Sequence, residues 1–156
     1  MDLRRISRPP VTRWIAKVFA AGCLAMSVTF THVAFASSST NENILLELNK
    51  LEQQENACQV YLLVTNATES QFDDLKLDLV IFDIDLVVMR RVAVELAPLR
   101  AGKSSVKSFK LTGESCSKVG RFLLNGFLTC GETGQERSDC IDLSKTSSRT
   151  DVAFID

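Results

Sequence analysis

Leu75-Lys76-Leu77-Asp78-Leu79-Val80-Ile81-Phe82 decides how the chain reads. Leu75, Leu77, Leu79 and Ile81 fall on one face of an extended segment, Lys76 and Asp78 on the other. A period of two with apolar residues on one side predicts a half-buried strand. Upstream, Gln59–Asn66 (QVYLLVTN) is apolar and β-rich, and closes on the turn-like Asn66-Ala67-Thr68. Downstream, Leu86–Leu96 (LVVMRRVAVEL) is rich in valine, and Pro98 and Gly102 then punctuate a turn. Val106–Leu111 and Arg121–Thr129 read as further strands, and Val152–Ile155 closes the chain. In the first of these, Lys107, Phe109 and Leu111 share a face. Ile44–Leu51 fits both a helix and a strand; with no helical partner to pack on, a first strand is expected. Gly131–Asp139 and Ser144–Asp151 are polar and read as loops.

Six or seven strands at roughly 8–15-residue spacing, without helices, predict an all-β antiparallel sandwich. In strand order it resembles an immunoglobulin-like domain, without the tryptophan of antibody domains.

Arg4, Arg5, Arg8, Arg13 and Lys17 precede a mostly apolar run, Val18–Ala36, which ends in Ala34-Phe35-Ala36. Positive, apolar and small-residue parts in that order make a secretory signal peptide. The expected organisation is a signal helix at 1–36, cleaved after Ala36, and a single domain at 37–156. An uncleaved anchor is the alternative, since the run is nearly long enough to span a bilayer. Arg4-Arg5 resembles a twin-arginine signal only weakly, because Arg8 stands where such signals turn apolar. Cys23 in Ala20-Ala21-Gly22-Cys23 looks like a lipoprotein site, but the apolar sequence runs well past it.

Removing 1–36 leaves 120 residues with net charge −5, one tyrosine (Tyr61), no tryptophan and no histidine. Without histidine, Ser-His-Asp and Cys-His nucleophilic machinery is impossible, as are histidine-bearing zinc, copper and haem sites. The acidic balance disfavours nucleic acid and anionic membrane surfaces. No cofactor, no metal and no catalytic residue is expected.

Cys58, Cys116, Cys130 and Cys140 remain, and four cysteines in a small exported domain predict two disulfides. Their closest spacing has nine intervening residues, too wide for the paired ligands of a zinc site. In an antibody-type order the second and sixth strands start at the same end of the sandwich. Cys58 opens the second, Cys116 precedes the sixth, and Cys130 ends it about 35 Å away at ~3.3 Å per residue. A disulfide needs Cα atoms within about 7 Å. The expected pairs are therefore Cys58–Cys116 and Cys130–Cys140.

The apolar Leu79-Val80-Ile81-Phe82 ending in Asp83-Ile84-Asp85 is similar to the first motif of haloacid-dehalogenase-type phosphatases, whose aspartates handle phosphorus beside Mg²⁺. The helices and the second acidic motif of that family are missing, so a solvated acidic turn is expected. Asp73-Asp74 and Asp83/Asp85 flank the strand about 30 Å apart at ~3.3 Å per residue, and cannot share one Ca²⁺. Asn66-Ala67-Thr68 matches the glycosylation pattern but reads as a turn. Arg90-Arg91 reads as protection of a sheet edge. Asn125-Gly126 is a hairpin signal with arms too short for a hairpin, so a bulge in one long strand is expected.

Several of these stretches also carry a resemblance. Cys58-Gln59-Val60-Tyr61 with Thr65-Asn66, Leu79–Asp83, Leu99-Arg100-Ala101-Gly102, Cys116, Asn125, Cys130, Cys140 and Ser147-Ser148-Arg149-Thr150 span most of the mature chain. Together they resemble an uncharacterised bacterial exported family, often labelled Tat-pathway signal-sequence domain proteins. The resemblance implies export and no activity. Leu86 stands where members tend to carry glycine, which argues against a tight turn there.

The function expected from all this is a non-enzymatic periplasmic or secreted binding or assembly module. Its expected partner is a protein of the cell envelope; the membrane enters only through an uncleaved signal segment. The rivals are a small carboxylate-dependent hydrolase and a purely structural envelope protein. A pocket with paired carboxyls of raised pKa would favour the hydrolase; a flat apolar patch or an open edge would favour binding.

Overall fold

The computed structural model describes residues 42–156; the expected signal helix, the cleavage after Ala36 and Cys23 lie outside the described residues. Alternation shapes the first three strands. Ile44, Leu46 and Leu48 turn inward from β1 (Ile44–Gln54), and Val60, Leu62 and Val64 from β2 (Ala57–Asn66). Leu75, Leu77, Leu79 and Ile81 do so from β3 (Asp74–Asp83). The remaining strands are β4 (Val88–Glu95), β5 (Ser104–Thr112), β6 (Val119–Glu132), β7 (Gln135–Glu136), β8 (Ser144–Ser148) and β9 (Ala153–Ile155). One short 3₁₀ turn, Cys116–Lys118, leads into β6.

The strands form two sheets. One has the order β5-β2-β1-β8; the other runs β4-β3-β6-β7, with β9 also on β6. This is an all-β sandwich, and the orders β5-β2-β1 and β4-β3-β6 follow the immunoglobulin-like arrangement. Phe122 of β6 and Phe154 of β9 meet edge to face in the core, ring centroids 6.3 Å apart.

Several expectations need correction. Gly131–Asp139 is not all loop, since β6 runs to Glu132 and Gln135–Glu136 forms β7 against it. Ser144–Asp151 is not all loop: Ser144–Ser148 forms β8, paired parallel to β1 from Ile44↔Ser144 to Leu48↔Ser148. Backbone pairing rather than apolar side chains holds this polar strand, so hydrophobic patterning could not reveal it. The sandwich is not purely antiparallel, since β9 also runs parallel to β6. The strand expected from Leu86 starts only at Val88, because Leu86 and Val87 belong to a turn.

The bulge expected at Asn125-Gly126 is present. β6 is continuous, but its register on β3 slips between Asp78 and Leu79, leaving Asn125 unpaired, and again beside Leu128. Gly126 has φ 151°, a backbone setting that favours glycine.

Candidate functional site

The cysteines pair as expected. Cys58 and Cys116 are bonded with Cα atoms 4.8 Å apart, and Cys130 and Cys140 with Cα atoms 6.5 Å apart. The first bond ties the starts of β2 and β6 across the two sheets. The second closes the loop after β6, where Arg137 organises the charges. Its guanidinium bonds Glu132 at 2.6 Å and both oxygens of Asp139 at 2.9 and 2.7 Å, and lies over the Phe72 ring. Asp139 is held below the ordinary carboxylate range by Arg137.

The acidic pairs sit at opposite ends of β3, as their spacing required. Asp73 accepts hydrogen bonds from Gln71 Nε2 at 2.6 Å and the Thr133 N–H at 3.3 Å, and Asp74 accepts from the Thr129 hydroxyl. Beside them lies an open cleft of about 400 Å³, bordered by Gly131, Gln135 and Glu136. Among the described residues no three His, Cys, Asp or Glu side chains gather as a metal-binding set.

Asp83-Ile84-Asp85 forms a turn. Asp83 Oδ1 accepts the N–H groups of Asp85 at 3.0 Å and Val87 at 2.9 Å, and the Asp83 N–H donates to Val87 O at 2.9 Å. An aspartate at this place acts as a turn cap, satisfying backbone donors that the strands leave free. The tight turn that Leu86 argued against does form. Leu86 takes φ 61°, the left-handed region where glycine is the natural choice. Gly120 supports the turn from below: a Cβ there would lie 2.2 Å from Asp83 O, so only glycine admits this approach of β6.

What this turn presents is apolar. Ile84, Leu86, Val87 and Val88 are 66%, 51%, 61% and 59% exposed. Turns ordinarily carry polar residues and glycine. Here three large apolar side chains project from a turn that is capped and strained, and Val88 adds a fourth at the start of β4. Such local violations concentrate at functional sites. The sequence signal was the apolar run Leu86-Val87-Val88 directly after the aspartates, which reads as the start of a strand.

A second feature lies on the outer face of the same sheet. Asp78, expected in solvent beside Lys76, is buried. Arg91 binds it through two nitrogens, Nε at 2.6 Å from Oδ1 and Nη2 on Oδ2, and Asn125 donates from the bulge to Oδ2. Arg91, read from sequence as protection of a sheet edge, is tied to Asp78. These bonds hold the Asp78 carboxyl below its ordinary value, Arg91 being the largest cause. A group with a depressed native pKa stabilises the fold above its unfolded value and loses that contribution as pH falls through the native one. The urea midpoint should therefore be higher for the wild type than for Asp78→Asn at pH 6. The gap should close below about pH 4, the ordinary range of aspartate. A gap that does not narrow as the pH falls below about 4 would contradict the assignment.

No family model matches the chain, and no curated protein matches it. Among solved structures, IrmA from Escherichia coli is similar in fold: TM-score 0.51 at 13% identity, over 67% of this chain and 90% of that one. At that identity the likeness supports the β-rich fold alone.

Proposed function

We propose that the chain is an exported, non-enzymatic binding or assembly module that engages an envelope protein through the apolar tip between β3 and β4. The observation that carries this reading is the set of four exposed apolar side chains on and beside a turn fixed by Asp83 and Gly120. A rigid apolar anchor limits the ordering cost of association, and such anchors dominate interface energies. Two disulfides fit an oxidising compartment, periplasmic or extracellular. The signal-like 1–36 segment and the resemblance to an exported bacterial family point the same way.

Capture from an envelope extract tests the reading. Leu86→Ser/Val87→Ser should reduce recovery of the bound protein roughly tenfold relative to the wild type, the effect of losing about 1.4 kcal/mol of anchor contact. Leu128→Ser, equally exposed but on β6 rather than at the tip, should leave capture unchanged. Equal capture by the tip variant would overturn the reading.

A further inference from the structure

The edge strand β4 carries a second, separable surface. Leu96 N–H donates to Leu75 O at 2.8 Å, and Val94 and Val92 pair with Leu77 and Leu79. By the alternation of an antiparallel ladder, the N–H and C=O groups of Leu96, Val94 and Val92 face β3. Those of Arg91, Ala93 and Glu95 therefore face away from the sheet, and β4 is its terminal strand among the described residues. An unpaired edge of this length is a template for another strand.

We propose that a second copy of this chain pairs with β4, antiparallel and edge to edge, about a two-fold axis at Ala93. Only registers that set one outward-facing residue against another can hydrogen-bond, which leaves few choices. Centred on Arg91, the two strands would oppose arginine to arginine. Centred on Ala93, Arg91 meets Glu95 of the second copy and Glu95 meets its Arg91. Two backbone hydrogen bonds form at each of these pairs and two more at Ala93 itself. On the other face, Val92 meets Val94 of the second copy. The small Ala93 at the axis lets the strands close.

The charges suit this arrangement. Within one copy, Glu95 contacts Lys76 at 3.3 Å and Arg91 contacts Asp78. Pairing links these into one alternating row: Lys76, Glu95, then Arg91 and Asp78 of the second copy. Opposite charges placed directly across a strand pair stabilise it, and like charges destabilise it. The other long edge, β5, lacks this property, since Ser104–Thr112 carries Lys107 and Lys110 and no acidic residue. Isologous contacts of this kind are the commonest route to a closed dimer. The two apolar tips then lie at opposite ends of the joined strands, so the pairing neither uses nor requires the binding role proposed for them.

Sedimentation equilibrium of the purified protein at high micromolar concentration tests the proposal. Twice the monomer mass is expected for the wild type. Ala93→Pro removes an N–H that faces away from β3, and Ala93→Lys sets two ammonium groups against each other at the axis. Both should sediment as monomers with unchanged circular dichroism. If Ala93→Pro fails to fold, Ala93→Lys decides alone. A monomeric wild type, or a dimer that survives Ala93→Lys, overturns the proposal. Loss of partner capture in the tip variants, with the dimer intact, would leave it standing.

Discussion

Replacing Cys58 and Cys116 together by alanine should lower the stability of the protein by about 4 kcal/mol. Their bond closes a loop with a sequence separation of 58 and joins one sheet to the other. The Cys130–Cys140 bond spans a separation of 10 within one end of the molecule. In the chain-entropy account its removal costs less, about 2.7 kcal/mol, because the unfolded chain gains less freedom. Urea melts of the two double-alanine variants measure the difference. Peptide mapping without reductant checks the connectivity. Equal losses would show that loop length does not set the contribution of these bonds. A Cys58–Cys130 peptide would contradict the strand layout itself.

Asn66→Ala should cost about 3 kcal/mol, although no apolar contact of consequence is lost. Asn66 is fully buried at the end of β2. Its Oδ1 accepts the Thr68 N–H at 3.0 Å and the Thr68 hydroxyl at 2.7 Å, while its Nδ2 donates to Ser70 O at 2.7 Å and Leu99 O at 3.3 Å. Truncation leaves these partners without Asn66 in a largely buried region, and each buried group left unpaired carries a desolvation cost. Asn66→Asp keeps the shape but points a carboxylate oxygen at the carbonyls of Ser70 and Leu99, and should be at least as damaging at neutral pH. Thermal melts of both variants beside Asn66→Ala/Thr68→Ala measure how far the network acts as a unit. A loss below 1 kcal/mol for Asn66→Ala would show that water replaces the amide. In Asn66-Ala67-Thr68, Asn66 ends β2 and Thr68 opens a bend, and the amide nitrogen a sugar would need is already committed to Ser70 O and Leu99 O.

Period-two alternation made β3 legible, because it buries one face; β2, β5 and β6 were visible as apolar or β-rich runs, and β1 as a strand because an ambiguous segment had no helix to pack on. The bulge at Asn125 was legible as well, since neither arm of Asn125-Gly126 is long enough for a hairpin. Asp78 was misplaced for a specific reason. Alternation assigns a residue to a face but not to a depth, and the outer face of β3 is covered locally by Arg91 and the Asn125 bulge. β8 escaped because its apolar content is low and its partner, β1, is remote in sequence. The apolar tip was half visible: its residues were seen, but their run into β4 disguised a turn as a strand. Leu86 added to the disguise, since a left-handed leucine is a poor guess from sequence.

The pairing of β1 with β8 joins residues a hundred positions apart. Its counterpart, β9 on β6, is short and parallel. Contacts between remote segments form late, after nearer ones have paid the entropy of bringing the chain together. In kinetic terms, β1 can settle against β2 early, while its other margin stays bare until Ser144–Ser148 has been synthesised and has found it. The domain should therefore fold on a scale of milliseconds to seconds, typical of sandwiches, with docking of β8 and β9 as a late event. Until then the chain stays open along one whole side, a state in which it can be held or threaded as an extended polymer.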